Sequence, residues 1–336
     1  MNNAKSDGFF KTLFQKKVFP LLILLIFEII LFSVWANARG SSFFAITTLR
    51  NILNNMTFAA FLTIGAGSLM LAGHMDLSAS TIGAFCGIVT AWCIVHSVPW
   101  FLAIIIAIAF GIGFGALNAF IITRFRFPSF IATLGMSSVI RGLMFFFSSL
   151  GMGSGDGTAQ NINFQNETLY AIGNQKLISE FSICVVIMLV IYVVFAIIIA
   201  KTKFGTKVKM LGGNPVAANL AGIKSKGITF LLFIISGGMA GVAGTLFASK
   251  MQQGSLQALS AAQFTGLTGA ILGGISFGGG EGGLGGAFVG MLILNTFTIG
   301  MSVCNVNTNL STIFNGLLLI IALALDFFRQ ARRRRV

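Results

Sequence analysis

Acidic side chains are the scarcest feature of this sequence: eight Asp and Glu stand against 22 Lys and Arg in 336 residues, and only 9% of the chain is charged. A soluble domain carries about a quarter of its residues as charges, so a soluble globular protein is excluded. Apolar runs repeatedly reach the ~20 residues that a helix needs to cross a bilayer. Lipid satisfies no backbone polar group, which leaves helices or a closed barrel. The runs are continuous rather than alternating, so they predict helices. Disulfide and metal frameworks are missing as well. Cys86, Cys93, Cys184 and Cys304 all sit in apolar runs and form no CxxC pair, which reads as free thiols packed as small hydrophobes.

Catalytic vocabulary is equally thin. No GxxxxGK[ST], HExxH or GxSxG pattern occurs, so ATP hydrolysis by the P-loop route, metalloproteolysis and membrane hydrolase chemistry have no support. Gly278, Gly280 and Gly283 fit GxGxxG, but no strand of a βαβ unit precedes them, and tight packing around a bend is the better reading. His74 and His96 are the only histidines and lie too far apart to suggest a metal site. The net charge of +14 would point to nucleic acid in a soluble protein. Here the bases cluster between apolar runs and in the tail, which fits membrane orientation, and no nucleic-acid partner is expected.

What the chain does contain predicts an all-α, polytopic membrane protein of about ten transmembrane helices. The spans run roughly Val18 to Trp35, Leu49 to Ala72, Ser80 to Val95, Val98 to Thr123, Ser129 to Leu150, Phe181 to Ala200, Thr229 to Ala248, Phe264 to Ile275, Leu284 to Val303 and Leu310 to Phe328. Ala36-Asn37-Ala38 resembles a signal-peptidase site, but the apolar run before it is longer than the usual h-region, favouring an uncleaved span. Lys and Arg in short loops set the orientation. Residues 1–17, Arg124 and Arg126, the 201–226 segment with its six lysines, and the 329–336 tail with its five arginines are expected inside, so both termini are cytoplasmic. The 151–180 loop, with Asp156, Glu167 and Glu180 against Lys176, is expected outside; its Asn166-Glu167-Thr168 triplet matches a glycosylation sequon, a pattern frequent by chance. Ten crossings satisfy all five placements, and eight crossings with re-entrant segments also fit. Residues 18–328 then form one transmembrane domain.

A few polar residues interrupt the apolar runs. Glu28 and Arg141 are intramembrane charges, each needing a partner or a wet cavity, and each is a candidate partner for the other. Asp76 sits where a helix breaks, beside Ser78 and Ser80; it either caps the following helix or belongs to a gate or substrate site at the break, and the two are compatible. A faint repeat links Gly73-His74-Met75-Asp76 to Gly273-Gly274-Ile275-Ser276.

Four stretches, in order and spacing from about residue 50 to the tail, resemble the membrane permeases of bacterial ABC importers for monosaccharides, of the ribose/galactose type. His74-Met75-Asp76-Leu77-Ser78-Ala79 is similar to that family's G-x-D-L-S segment, and Pro128-Ser129-Phe130-Ile131-Ala132-Thr133-Leu134-Gly135 to its P-F-I-x-T-L-G segment. Lys201 to Gly205, followed by Gly212-Gly213-Asn214-Pro215-x-Ala217-Ala218 and Gly222-Ile223, resembles its cytoplasmic coupling segment. Gly273-Gly274-Ile275-Ser276-Phe277-x-Gly279-Gly280-x-Gly282 resembles its late glycine-rich loop. Departures are His74 and Ser80 where glycine is common, and Val216 where glutamate is frequent.

The resemblance implies that Gly212, Gly213, Asn214, Pro215, Ala217, Ala218 and Gly222 couple to an ATPase. It also implies that Asp76, Ser78, Phe130, Thr133, Gly135, Gly279 and Gly280 belong to the translocation pathway or its gate. Implied partners are a second permease copy or a related permease, a cytoplasmic ATP-binding-cassette ATPase and an extracytoplasmic sugar-binding protein, in a bacterial inner membrane. No cofactor is implied, and the chain itself would be no enzyme. The alternative is an ion- or proton-coupled secondary transporter, which would want paired membrane carboxylates; only Glu28, Asp76 and Glu281 qualify. Ribose, galactose, xylose and a furanosyl signal molecule all fit as cargo.

Overall fold

The computed structural model describes residues 19–151, 160–178 and 181–307, together with 310, 313, 314, 316–318, 320, 321 and 324. In chain order the helices are α1 (Phe19–Ala38), α2 (Ile46–Leu71), α3 (Ala79–Val95), α4 (Trp100–Phe125), α5 (Ser129–Gly151), α6 (Glu167–Asn174), α7 (Ile183–Lys201), α8 (Lys203–Gly213), α9 (Pro215–Leu220), α10 (Ser225–Met251), α11 (Ser260–Leu272) and α12 (Leu284–Val303). Short strands β1 (Ile162–Asn163) and β4 (Gln253–Gly254) pair antiparallel, as do β2 (Lys176–Ile178) and β3 (Phe181–Ser182).

Among the described residues, α1, α2, α4, α5, α7, α10 and α12 are long and apolar enough to cross a membrane, and α3 is a shorter apolar helix. The all-α polytopic class expected from the sequence is therefore the class observed. The expected segments 1–17 and 329–336 and most of the Leu310–Phe328 span lie outside the described residues. The expected eighth span is α11. At 13 residues it is about 20 Å long, short of the ~30 Å hydrocarbon core. The chain leading to it re-enters the protein: Gly254 lies against Ile88 and Ala91 on α3, and Leu259 reaches Gly83 further down the same helix. Non-helical backbone at membrane depth is tolerated where protein encloses it, and Ala258 and Leu259 are buried.

Apolarity and burial run in opposite directions through most of the bundle. α2, the least apolar of the seven long spans, is by far the most buried, while α7, the most apolar, and α1 face outward. Lipid rewards apolar surface, so the small and polar residues go to helix–helix contacts instead. α5 breaks the trend: it is among the less apolar spans, yet it is as exposed as α1.

Small residues set the closest approach. Gly111 and Gly115 of α4 meet Gly237 and the Phe233 carbonyl of α10, where a Cβ on Gly237 would collide with the Gly111 carbonyl oxygen and stand 3.0 Å from the Gly115 backbone. Gly113, on the far face of α4, has nothing within 4 Å. Gly237→Leu is therefore expected to destabilise the bundle by about 1–3 kcal/mol, the usual range for overpacking, and Gly113→Ala to be near neutral. Unfolding midpoints of the two purified variants check this.

At the opposite edge α1 packs on α12 through buried Phe32 and Ala36. Arg39 donates to the Cys304 carbonyl (2.6 Å) and lies over the Trp35 ring. That contact accounts for a basic residue on the side expected to be outer. All four cysteines are free and buried.

Candidate functional site

α2 ends in a turn that only glycine adopts comfortably. Gly73 has φ +78°, and the bonds Gly73 N to Met70 O and His74 N to Leu69 O close the helix in the pattern of a Schellman cap. α11 ends identically, with Gly274 at φ +89° and the bonds Gly274 N to Ile271 O and Ile275 N to Ala270 O. The repeat read from the sequence thus holds at the level of the turn, with a one-residue correction: Gly73 corresponds to Gly274, not to Gly273.

Between α2 and α3, residues 73–78 are non-helical, and their polar groups are bonded to four surrounding helices. Asp76 is 1% exposed. Its Oδ1 accepts from Ser78 N (2.9 Å) and Ser78 Oγ (2.6 Å), and its Oδ2 accepts from Ser236 Oγ of α10 (2.7 Å). Asn118 of α4 donates to Ser78 Oγ (2.9 Å). Gln263 of α11 donates to the Asp76 carbonyl (3.2 Å) and accepts from Ser80 N (2.9 Å). Ser129 and Thr133 of α5 accept from Met75 N (2.9 Å) and Leu77 N (3.1 Å), and His74 Nε2 lies 3.1 Å from Thr229 Oγ1 of α10. Asp76 does accept a backbone N–H, but from Ser78, which precedes α3, and from no residue of the helix, so it shapes the approach to α3 rather than supplying the expected cap.

At the end of α2 three glycine-bearing backbone segments, residues 71–73, 212–213 and 279–280, form a junction. Gly280 N donates to the Leu71 carbonyl (2.9 Å), tying the 273–283 loop to the end of α2. A Cβ on Gly212 would collide with that same carbonyl oxygen and stand 2.6 Å from Gly280 N. A Cβ on Gly279 would stand 2.8 Å from Gly73 N and 3.0 Å from Gly212 Cα, and one on Gly280 would stand 2.6 Å from Gly213 Cα. Three segments distant in sequence touch here with no side chain between them.

Within the 201–226 segment Gly212 and Gly213, residues that locally disfavour helix, form the last turn of α8, which Thr202 caps by accepting from Gly205 N. The helix keeps Gly212 because the Leu71 and Gly280 backbones occupy the space of any side chain there, whereas Gly213 has room for a Cβ. Asn214 Oδ1 caps α9 by accepting from Ala217 N (3.0 Å), and Pro215 fills the first helical position, where its missing N–H costs nothing. Ala218 is buried, Gly222 turns the chain at φ +76°, and Val216 and Leu220 project outward, Leu220 at 86% exposure.

Of the remaining expected residues, Thr133 is buried in the hub, whereas Phe130 and Gly135 are exposed on α5. Glu28 is buried where α1 packs on α12, with Oε2 unpartnered, and Arg141 is exposed on α5, which packs on α3 and α4. The structure does not pair them, because their helices pack on different neighbours. Ser129, Ser236 and Gln263 were not singled out as site residues. Their signal was a polar side chain inside an apolar run, diluted by the many serines and threonines that merely bond their own helix, as Thr57, Ser68 and Thr90 do.

Residues 48–323 match the family model described as a branched-chain amino acid transport system permease component. The chain belongs to this permease family. Family relatives include the L-arabinose ABC transporter permease protein AraH of Azospirillum brasilense, 30% identical over 85% of this chain and 81% of the relative. The ribose import permease protein RbsC of Bacillus subtilis is 28% identical over 94% of each chain. The fructose import permease protein FrcC of Rhizobium meliloti is 27% identical over 96% of this chain and 91% of the relative. No solved structure matches. Family membership and the seven apolar helices make this a multi-pass permease of the cell's inner membrane.

Proposed function

We propose that this chain is the permease subunit of an ATP-binding-cassette importer that carries a monosaccharide inward, and that a separate cassette ATPase supplies the energy. The observation that carries the reading is the glycine junction. It places the coupling segment in backbone contact with both the α2–α3 break and the 273–283 loop, so a push on α8 and α9 reaches the bonded hub around Asp76 without passing through a flexible side chain. Alternating access then shifts populations between two packings of those breaks. The sugar names of the relatives favour a sugar over a branched-chain amino acid.

On this reading both termini lie in the cytoplasm, and a sugar-binding protein delivers cargo to the opposite face. A second permease copy covers α5, whose outward face carries Gly135 and Gly142, with nothing within 4 Å of either, and the exposed Arg141. An intramembrane arginine is costly against lipid, and a partner permease at this face removes that cost while enclosing a pathway.

Proteoliposomes holding the permease, its cassette ATPase and its binding protein test the reading. ATP-dependent uptake of labelled D-ribose, L-arabinose or D-fructose, unaffected by a protonophore, is the expected result. Uptake of leucine alone, or uptake without ATP that collapses with the proton gradient, overturns it. Leu220→Asp, on the protruding tip of α9, is expected to weaken association with the ATPase by about tenfold, as loss of an apolar anchor does, while leaving the unfolding midpoint unchanged.

A further inference from the structure

A cavity of about 820 Å³ lies at the end of α10 opposite the coupling segment. α10 begins at Ser225, inside the lysine-rich stretch, and Gln252 at the cavity follows its last residue. Twenty-seven residues of helix span about 40 Å, so the cavity opens on the face away from the ATPase. It is an open depression rather than an enclosed pocket, of a volume that admits a small molecule.

The cavity wall is built rather than incidental. Gln252, held at φ +50°, accepts from Asn166 N (2.8 Å) and donates to the Ser249 carbonyl (2.8 Å), which fixes one side. Asn163 Oδ1 accepts from Gln253 Nε2 (2.7 Å), and Asn166 Oδ1 accepts from Leu169 N (3.0 Å). Both amide oxygens are thereby occupied and both amide NH2 groups remain as donors. The side chains of Gln165 and Glu167 make no hydrogen bond or ion pair among the described residues, and Tyr170 is 56% exposed.

This lining has a chemical signature. Each hydroxyl of a sugar both donates and accepts, and a wall of amide donors with one carboxylate acceptor meets that need. The C–H face of a sugar ring lies well on an aromatic ring, which the exposed Tyr170 supplies, while Phe164 is buried in the core. Among the described residues Glu167 is the only charged group of the lining, so an anionic ligand is disfavoured and a neutral one fits. We infer that the cavity is a carbohydrate-receiving site at the outer mouth of the permease, holding a monosaccharide through Asn163, Gln165, Asn166, Glu167 and Tyr170 before it enters the pathway. This rests on the sugar-importer reading.

Saturation-transfer NMR on the full-length permease in nanodiscs, with D-ribose, L-arabinose and D-fructose each at millimolar concentration, tests it. Transfer to the ring protons of at least one sugar is expected, with Glu167→Gln and Gln165→Ala each weakening it about tenfold, the effect of removing a hydrogen bond that involves or neighbours a charge. No transfer from any of the three sugars, or transfer unchanged in both variants, overturns the site. ATP-driven uptake measured on the same preparations separates the two readings. Uptake without saturation transfer overturns the cavity site and leaves the importer standing. Variant-sensitive transfer without uptake upholds the site and counts against the importer. Loss of sugar-binding-protein retention in the variants, with sugar transfer unchanged, makes the cavity a protein-docking face and overturns the proposal.

Discussion

Gly212→Ala is expected to abolish ATP-driven uptake, while Gly213→Ala leaves most of it. The contrast between neighbours is geometric. A Cβ at Gly212 enters the Leu71 carbonyl oxygen and approaches Gly280 N to 2.6 Å, all backbone that no rotamer change can move. A Cβ at Gly213 comes no closer than 3.9 Å to Gly280 Cα. To admit one methyl group at Gly212, the α2 terminus and the 273–283 loop must separate, which stretches the Gly280 N to Leu71 O bond. Overpacking of this kind costs about 1–3 kcal/mol, and loss of the hydrogen bond adds about 1 kcal/mol. The larger effect is on function, because the contact that carries motion from α8 to the break is the contact removed. Uptake by proteoliposomes, read beside the unfolding midpoint and cassette co-purification, distinguishes the cases. An uncoupled variant keeps its ATPase partner and loses transport. Wild-type uptake in Gly212→Ala would sink the coupling role of the junction.

The sequence made the class and most span positions readable, because lipid imposes those features on composition itself. α12 spans Leu284–Val303, as the apolar run did, and α5 starts at Ser129 behind Pro128. The interior was less legible for the same reason. Lipid-facing helices announce themselves by continuous apolarity, whereas α2 and α11, which carry the core contacts, are diluted by glycine, serine and threonine and read as weaker spans. α8 was missed because Gly205, Gly212 and Gly213 argue locally against helix, at about 1 kcal/mol each relative to alanine. Packing against Ile199, Leu71 and Gly280 leaves room for nothing larger at Gly205 and Gly212, so tertiary contact overrode propensity. The four motif stretches were legible one by one. Their convergence on a single junction was not, since it depends on a backbone contact between residues 71, 212 and 280 that no periodicity encodes.

Asp76→Ala is expected to destabilise the permease by at least about 3 kcal/mol, since each buried donor left without an acceptor costs roughly 1–3 kcal/mol. Three donors converge on this carboxylate: Ser78 N, Ser78 Oγ and Ser236 Oγ. Ser78 Oγ cannot escape by rotating, because it already accepts from Asn118 Nδ2. Asp76→Asn separates shape from charge. Its oxygen still receives both Ser78 donors, and its NH2 group donates to Ser236 Oγ once that hydroxyl turns to accept, so a loss of about 1 kcal/mol is expected if hydrogen bonding is what the site requires. A cycle with Ser236→Ala sharpens the reading: directly bonded residues show coupling of roughly 0.5–3 kcal/mol, and the bond across the α2–α3 break should fall in that range. If Asp76→Asn unfolds as readily as Asp76→Ala, the negative charge itself holds the break closed. The three donors would then serve a carboxylate that no cation among the described residues bonds.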